Sequence, residues 1–229
     1  MFYMNKINDN HLLPASLLLL PVLLAPAQSQ AIGGFVEGNI GYNFYNNVGV
    51  DLGDDPLFGK VEMDLDYDDE ISYGLEVGIR NFDPYDVLRL SVSWDRFDTE
   101  VDQGTLSVEN GVVISPPGGK FSGSELNDIG FKFDNEIDVY MANLYFDIPL
   151  KSAFTPYFGI GLGQADIEHA EDKEFAWKFM LGTNYEFTQN FGLGLRYQYI
   201  NIEGWEDEFD YKYDDLIIQD ISATARYQF

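Results

Sequence analysis

The stretch ISATARYQF (221–229) alternates strictly, with Ile221, Ala223, Ala225, Tyr227 and Phe229 on one parity and Ser222, Thr224, Arg226 and Gln228 on the other. A two-residue period is that of a β-strand with two unlike faces. The same period runs through FVEGNIGYNFYN (35–46), EISYGLEVGIRNF (70–82), VLRLSVSWD (87–95), VYMANLYFDIPL (139–150), PYFGIGLGQAD (156–166), EFAWKFMLGTNYEF (174–187) and FGLGLRYQYI (191–200). With the terminal stretch these make eight strands, and neither a sustained helical period nor a linker divides them. Short links near 83–86, 151–155 and 188–190 alternate with longer ones near 47–69, 96–138, 167–173 and 201–215. In a meander, alternate links lie at one end, so tight turns gather at one end and long loops at the other.

Alternation does not say whether the apolar parity touches a protein core or lipid. Three features favour lipid. The polar parity is rich in glycine (Gly74, Gly78, Gly159, Gly161, Gly163, Gly182, Gly192, Gly194), as suits the narrow interior of an eight-stranded barrel. That parity also carries near-balanced charge: Arg80, Arg89, Lys178, Arg196 and Arg226 against Glu37, Glu76, Asp95, Asp147, Glu186 and Asp220. Ions enclosed in a barrel must be paired, because an unpaired one costs several kcal/mol. Aromatics on the apolar parity, among them Tyr42, Trp94, Phe146, Trp177 and Phe229, fall near strand ends, as interfacial girdles do. The expected fold is all-β, an eight-stranded antiparallel up-and-down transmembrane β-barrel. Arg80, Arg89, Arg196 and Arg226 are expected to gather with Glu37, Asp147 and Glu186 in the lumen half nearer the tight turns.

Ahead of the strands, Lys6 precedes an apolar run from Leu12 to Leu24, followed by Ala25-Pro26-Ala27 and Ser29-Gln30-Ala31. The run is too short to span a bilayer as a helix and has the form of a secretory signal. Residues 1–31 are read as a signal peptide, cleaved after Ala27 or Ala31, and 32–229 as the barrel. With no cysteine, disulfides, thiolate catalysis and lipoprotein anchoring are excluded.

The segments PYFGIGLG, NLYFDIPL, FGLGLRYQY and the terminal RYQF resemble the eight-stranded outer-membrane β-barrel family of opacity-type and OmpA-like barrels, over most of 35–46 and 70–229. The resemblance implies residence in the outer membrane of a Gram-negative bacterium, contact with its lipid and lipopolysaccharide, and a C-terminal assembly signal, here Tyr227 and Phe229, read by the barrel-assembly machinery. It is specific to the architecture and not to an activity.

Charge is concentrated in the long links. Residues 46–70, 98–136, 166–174 and 203–215 together hold 29 acids and 5 bases, within a chain of formal charge −26. Nucleic acid is excluded as a partner, since its phosphates require cations. In DLDYDDE (64–70), Asp64, Asp66 and Asp68 have the opening spacing of a calcium loop. Asp69 stands where the glycine is needed, and Leu75 where the closing glutamate is needed, so an EF-hand is rejected. Asp64, Asp66 and Asp68, with Asp54 and Asp55, are left as weak ligands for loosely bound Ca2+; no cofactor is otherwise expected. The low-charge stretch ENGVVISPPGGKFSGSE (109–125) reads as a flexible contact loop for a host or surface ligand. His169 with Glu171 is the only seed for an enzyme, and no serine flanks it. The expected role is therefore structural or surface-facing (envelope integrity, adhesion or recognition), with a narrow pore for ions or small solutes as the alternative and a membrane-embedded barrel enzyme as a remoter one.

Overall fold

A computed structural model describes residues 33–55, 59–82, 85–108, 120–128, 135–168, 170, 172–206 and 211–229. The elements in chain order are β1 (Gly33–Tyr45), β2 (Val48–Asp55), β3 (Gly59–Tyr67), β4 (Ile71–Phe82), β5 (Tyr85–Thr99), β6 (Val101–Val108), β7 (Lys120–Ser122), α1 (Gly123–Asp128), β8 (Asn135–Asp147), β9 (Phe154–Ile167), β10 (Glu174–Glu186), β11 (Phe191–Ile202), β12 (Lys212–Tyr213) and β13 (Leu216–Gln228). Eight of the strands close into a barrel in the order β1-β13-β11-β10-β9-β8-β5-β4, all neighbours antiparallel. Closure leaves no edge strand, which is the condition for a sheet to stand in hydrocarbon. The seam pairs β1 with β13 from Phe35 opposite Gln228 to Tyr45 opposite Ile218. The last residue completes it: Phe229 N–H donates to Gly34 O at 3.0 Å and Gly34 N–H donates back at 3.1 Å.

The apolar parity faces out. Ile40, Leu75, Val92, Leu144, Ile160, Leu162, Leu181, Leu195 and Ile221 are all exposed, Ile40 at 59% and Leu195 at 58%. A wall of bare aliphatic side chains of this extent is stable only against lipid. Aromatic pairs border it on both sides. Toward the tight turns lie Phe146–Phe158, Phe154–Tyr185, Phe187–Phe191 and Tyr227–Phe229; toward the long links lie Tyr42–Phe44, Tyr73–Trp94 and Trp177–Tyr199. The turn after β10 is fixed by Thr188, whose Oγ1 accepts from the N–H groups of Asn190 and Phe191.

The long links are not loops throughout, as the charge density had implied. They build a second, five-stranded sheet in the order β12-β2-β3-β6-β7. Acids in VGVDL (48–52) and VEMDLDY (61–67) alternate with apolar residues, so each strand keeps one greasy face: Val48, Val50, Met63, Leu65 and Tyr67 are buried. Leu52 bulges between β2 and β3, and Gly53 then takes φ +92°, a left-handed conformation that favours glycine. Asp51 Oδ1 accepts the Gly53 N–H at 2.9 Å and its Oδ2 pairs with Lys60 at 3.2 Å; the first contact above all holds the carboxyl below the usual range. The end of the stretch read as a flexible loop is also ordered. SGSE (122–125) forms a capping box, Ser122 N–H and Oγ donating to Glu125 and Glu125 N–H to Ser122 Oγ, which starts α1. Val112, Val113 and Ile114 lie outside the described residues, as do residues 1–32 with the segment read as a leader and both candidate cleavage positions.

Candidate functional site: the barrel interior and its cap

Inward parity on the eight strands produces two layers. Nearer the tight turns and through the middle, the interior is ionic and aromatic. Arg226 binds Glu37 through Nε (2.8 Å) and Nη2 (2.6 Å). Arg196 reaches Glu76 at 3.0 Å and Glu37 at 3.4 Å, and lies 3.9 Å from Asp95. Lys178 pairs with Asp95 at 3.0 Å and Arg89 with Asp147 at 2.9 Å. Arg80 pairs with Glu186 at 3.1 Å and also contacts Gln228. Ten of the eleven charged residues assigned to the lumen from parity therefore stand in ion pairs. The eleventh, Asp220, is fully buried but accepts from neutral donors, Ser72 Oγ at 2.8 Å and Gln198 Nε2 at 2.9 Å.

Three aromatics complete this layer and were not singled out from the sequence. The Arg89 guanidinium lies over Tyr145 (4.3 Å) and Tyr157 (4.7 Å), Arg226 over Phe35 (4.9 Å), and Tyr145 Oη donates to Glu76 at 2.9 Å. Their parity gave the signal, since Phe35 shares it with Glu37 and Tyr145 with Asp147. The glycine-rich face has its physical reason here. A Cβ at Gly78 would overlap Phe35, at Gly159 the Tyr145 ring, and at Gly182 Tyr157.

The outer layer is apolar on the inward parity as well. Phe97, Ile137, Val139, Met141, Ala165, Ile167, Ala176, Ile200, Ile202, Leu216 and Ile218 form one continuous core with the greasy face of the second sheet, Leu126 of α1, and Trp205 and Tyr213. Trp205 and Tyr213 stack at 4.6 Å with planes 5° apart. The second sheet is thus a cap joined to the rim by hydrophobic packing. Its other face is acidic: Glu62, Asp64, Asp66 and Asp102 are exposed.

The weak calcium candidates do not converge. Asp64 and Asp66 project side by side from the outer face of β3, and Asp68 follows its end. Asp54 and Asp55 end β2, with side chains outside the described set. Among the described residues no group of three or more His, Asp or Glu could hold a metal in the manner of such a loop. His169 and Glu171 lie outside the described residues.

Comparison with known proteins agrees with this architecture. Residues 15–229 match the outer membrane protein beta-barrel domain. The chain belongs to that family. Within this outer membrane β-barrel family, an uncharacterized protein of Brucella suis is 28% identical over 227 residues, covering 83% of this chain and 75% of its own. Outer membrane protein PagN of Salmonella typhimurium is 30% identical over 89 residues, 32% of this chain and 37% of PagN. Two solved structures share the fold: Neisserial surface protein A (TM-score 0.52, 16% identity, 86% of this chain and 97% of that one) and OprG of Pseudomonas aeruginosa (TM-score 0.53, 13% identity, 87% and 96%). This barrel accordingly resides in the outer membrane of a Gram-negative bacterium.

Proposed function

We propose that this outer membrane barrel serves a structural and surface-presenting role, without enzymatic activity and with a closed lumen, and that its acidic cap is the part that meets the exterior. The observation that carries the reading is the continuous hydrophobic core shared by the outer end of the barrel wall and the five-stranded cap. An apolar plug above a layer of paired charges opposes passage of water and ions, and an eight-stranded interior is filled by its own side chains. The acidic outer face supports a hydrated surface that resists non-specific sticking and leaves recognition to the cap and its connecting segments. In this reading Tyr227 and Phe229 act as the assembly signal for the barrel-assembly machinery, a role compatible with Phe229 closing the seam.

Two measurements test this. Liposome swelling and planar-bilayer recording with the purified chain should show no solute flux; steady conductance would favour the narrow-pore alternative. Replacing 48–67 and 101–128 with short turns should abolish binding to cells or matrix while leaving insertion intact. Unchanged binding would remove the recognition role.

A further inference from the structure

We propose that the lumen contains a monovalent-cation site centred on Asp220, with Asn43, Gln198 and Ser72 supplying neutral oxygens. The first ground is charge. Among the described inward-facing residues of the spanning layer there are six acids and five bases, and every base is engaged by another acid. The one acid left over is Asp220, fully buried and bound by neutral donors alone. Burying a lone carboxylate costs several kcal/mol unless a counter-charge accompanies it.

The second ground is a pair of buried amide oxygens without donors on the residues paired with Asp220. Asn43, Asp220 and Gln198 stand directly opposite one another on β1, β13 and β11, all facing inward and all fully buried. Directly opposed side chains begin about 5 Å apart at Cβ. Gln198 Nε2 donates to Asp220, which leaves Gln198 Oε1 as the free end; Asn43 Nδ2 donates to Tyr45 Oη at 3.3 Å, which leaves Asn43 Oδ1. Neither oxygen accepts a hydrogen bond. A carboxylate whose two cross-strand neighbours each carry an unsatisfied amide oxygen, with a hydroxyl bound to it, offers the donor types of a hard cation. One carboxylate balances one positive charge, so the set fits Na+ or K+ rather than Ca2+, which takes more charged oxygens. Ile218 and Ile200 of the apolar layer lie one inward position above Asp220 and Gln198, the part-buried Tyr45 one position above Asn43, and the ionic layer lies below. Arg196 and Asp95 are already committed to the ionic layer, to Glu76 and Lys178. An ion held there is taken up as the barrel closes, so affinity appears as folding stability.

The test is equilibrium unfolding and refolding of the full chain in lipid vesicles at fixed ionic strength, with choline chloride replaced stepwise by NaCl or KCl. The expected result is a saturating rise in stability with one of the two ions, about 11-fold in the folding constant at ten times its dissociation constant. That rise should disappear in Asp220→Asn, weaken in Asn43→Leu, and persist in an Asp64→Asn/Asp66→Asn control on the cap. Should Asp220→Asn fail to fold, Tl+ soaked into crystals of the unaltered protein should give an anomalous peak between Asp220 and Asn43. The proposal is overturned by equal stability in choline, Na+ and K+, by an ion effect that survives in Asp220→Asn, or by Tl+ peaks confined to the cap. Those results would mean that Asp220 is neutralised by a proton or by movement of Arg196.

Discussion

Replacing Lys178 by Met tests whether the ionic layer behaves as a set of buried pairs. The Lys178 and Asp95 side chains are 0% and 1% exposed and meet at 3.0 Å. Met keeps the volume and apolar stem of Lys178 and removes the charge, so the loss is electrostatic. Asp95 would keep the Asn39 Nδ2 donor at 3.0 Å and the Arg196 guanidinium at 3.9 Å. Breaking a buried pair from one side costs about 3–5 kcal/mol, and the surviving partners place this case near the lower end, about 3 kcal/mol or roughly 100-fold in the folding constant. Adding Asp95→Leu removes the orphaned charge with its partner. The double variant should then recover to within about 1 kcal/mol of the parent, because a pair replaced by apolar groups of similar size is often neutral. The assay is urea unfolding in lipid vesicles, followed by tryptophan fluorescence and by the gel mobility difference between folded and boiled barrel. A single variant within 1 kcal/mol of the parent, or a double variant no better than the single, would refute the reasoning.

Further outcomes follow from other parts of the molecule. Leu195→Arg on the lipid face should cost about 2–4 kcal/mol, against under about 1 kcal/mol for Gln219→Arg nearer the interface, measured by the same unfolding assay. Leu65→Ala should cost about 2–5 kcal/mol and expose the cap to protease while the barrel keeps its gel mobility, since Leu65 is fully buried between cap and rim. Phe229→Ala keeps the backbone bonds to Gly34, so refolding in detergent should change little while the yield of assembled protein in cells falls severalfold; equal losses in both would reduce Phe229 to a seam residue. The folded-state pKa of Asp51 is depressed, so its contribution to the β2–β3 hairpin is present above the unfolded value near 4 and is lost as pH falls through the lower folded value; Asp51→Asn should flatten hydrogen exchange at the hairpin over that acid range.

Much of the barrel was legible because one period governs it. Each of the eight strands must present one face to lipid and one to the interior, so parity alone assigned Glu37, Arg89, Lys178, Arg196 and Arg226 inward and Ile40, Leu75 and Leu195 outward. The turn signals and the alternation of link lengths gave the meander. The cap was missed because density of acids was read as loop. VEMDLDY obeys the same period as the barrel strands, but its apolar face has a use only where the other long links and the rim come together, and that meeting is not written in any one segment.

The sequence by itself determined which residues share a face, that the interior charges nearly balance, and that the greasy face suits lipid. Only the tertiary structure decided which acid pairs with which base, that Asp220 is the one left without a base among the described inward charges, and that Ile137, Val139, Ile200 and Ile218 join Val50 and Leu65 in one core. The reason is physical. Facing is a local property set by the two-residue period, whereas pairing and sealing depend on the register of strands far apart in the chain, which closure of the barrel fixes.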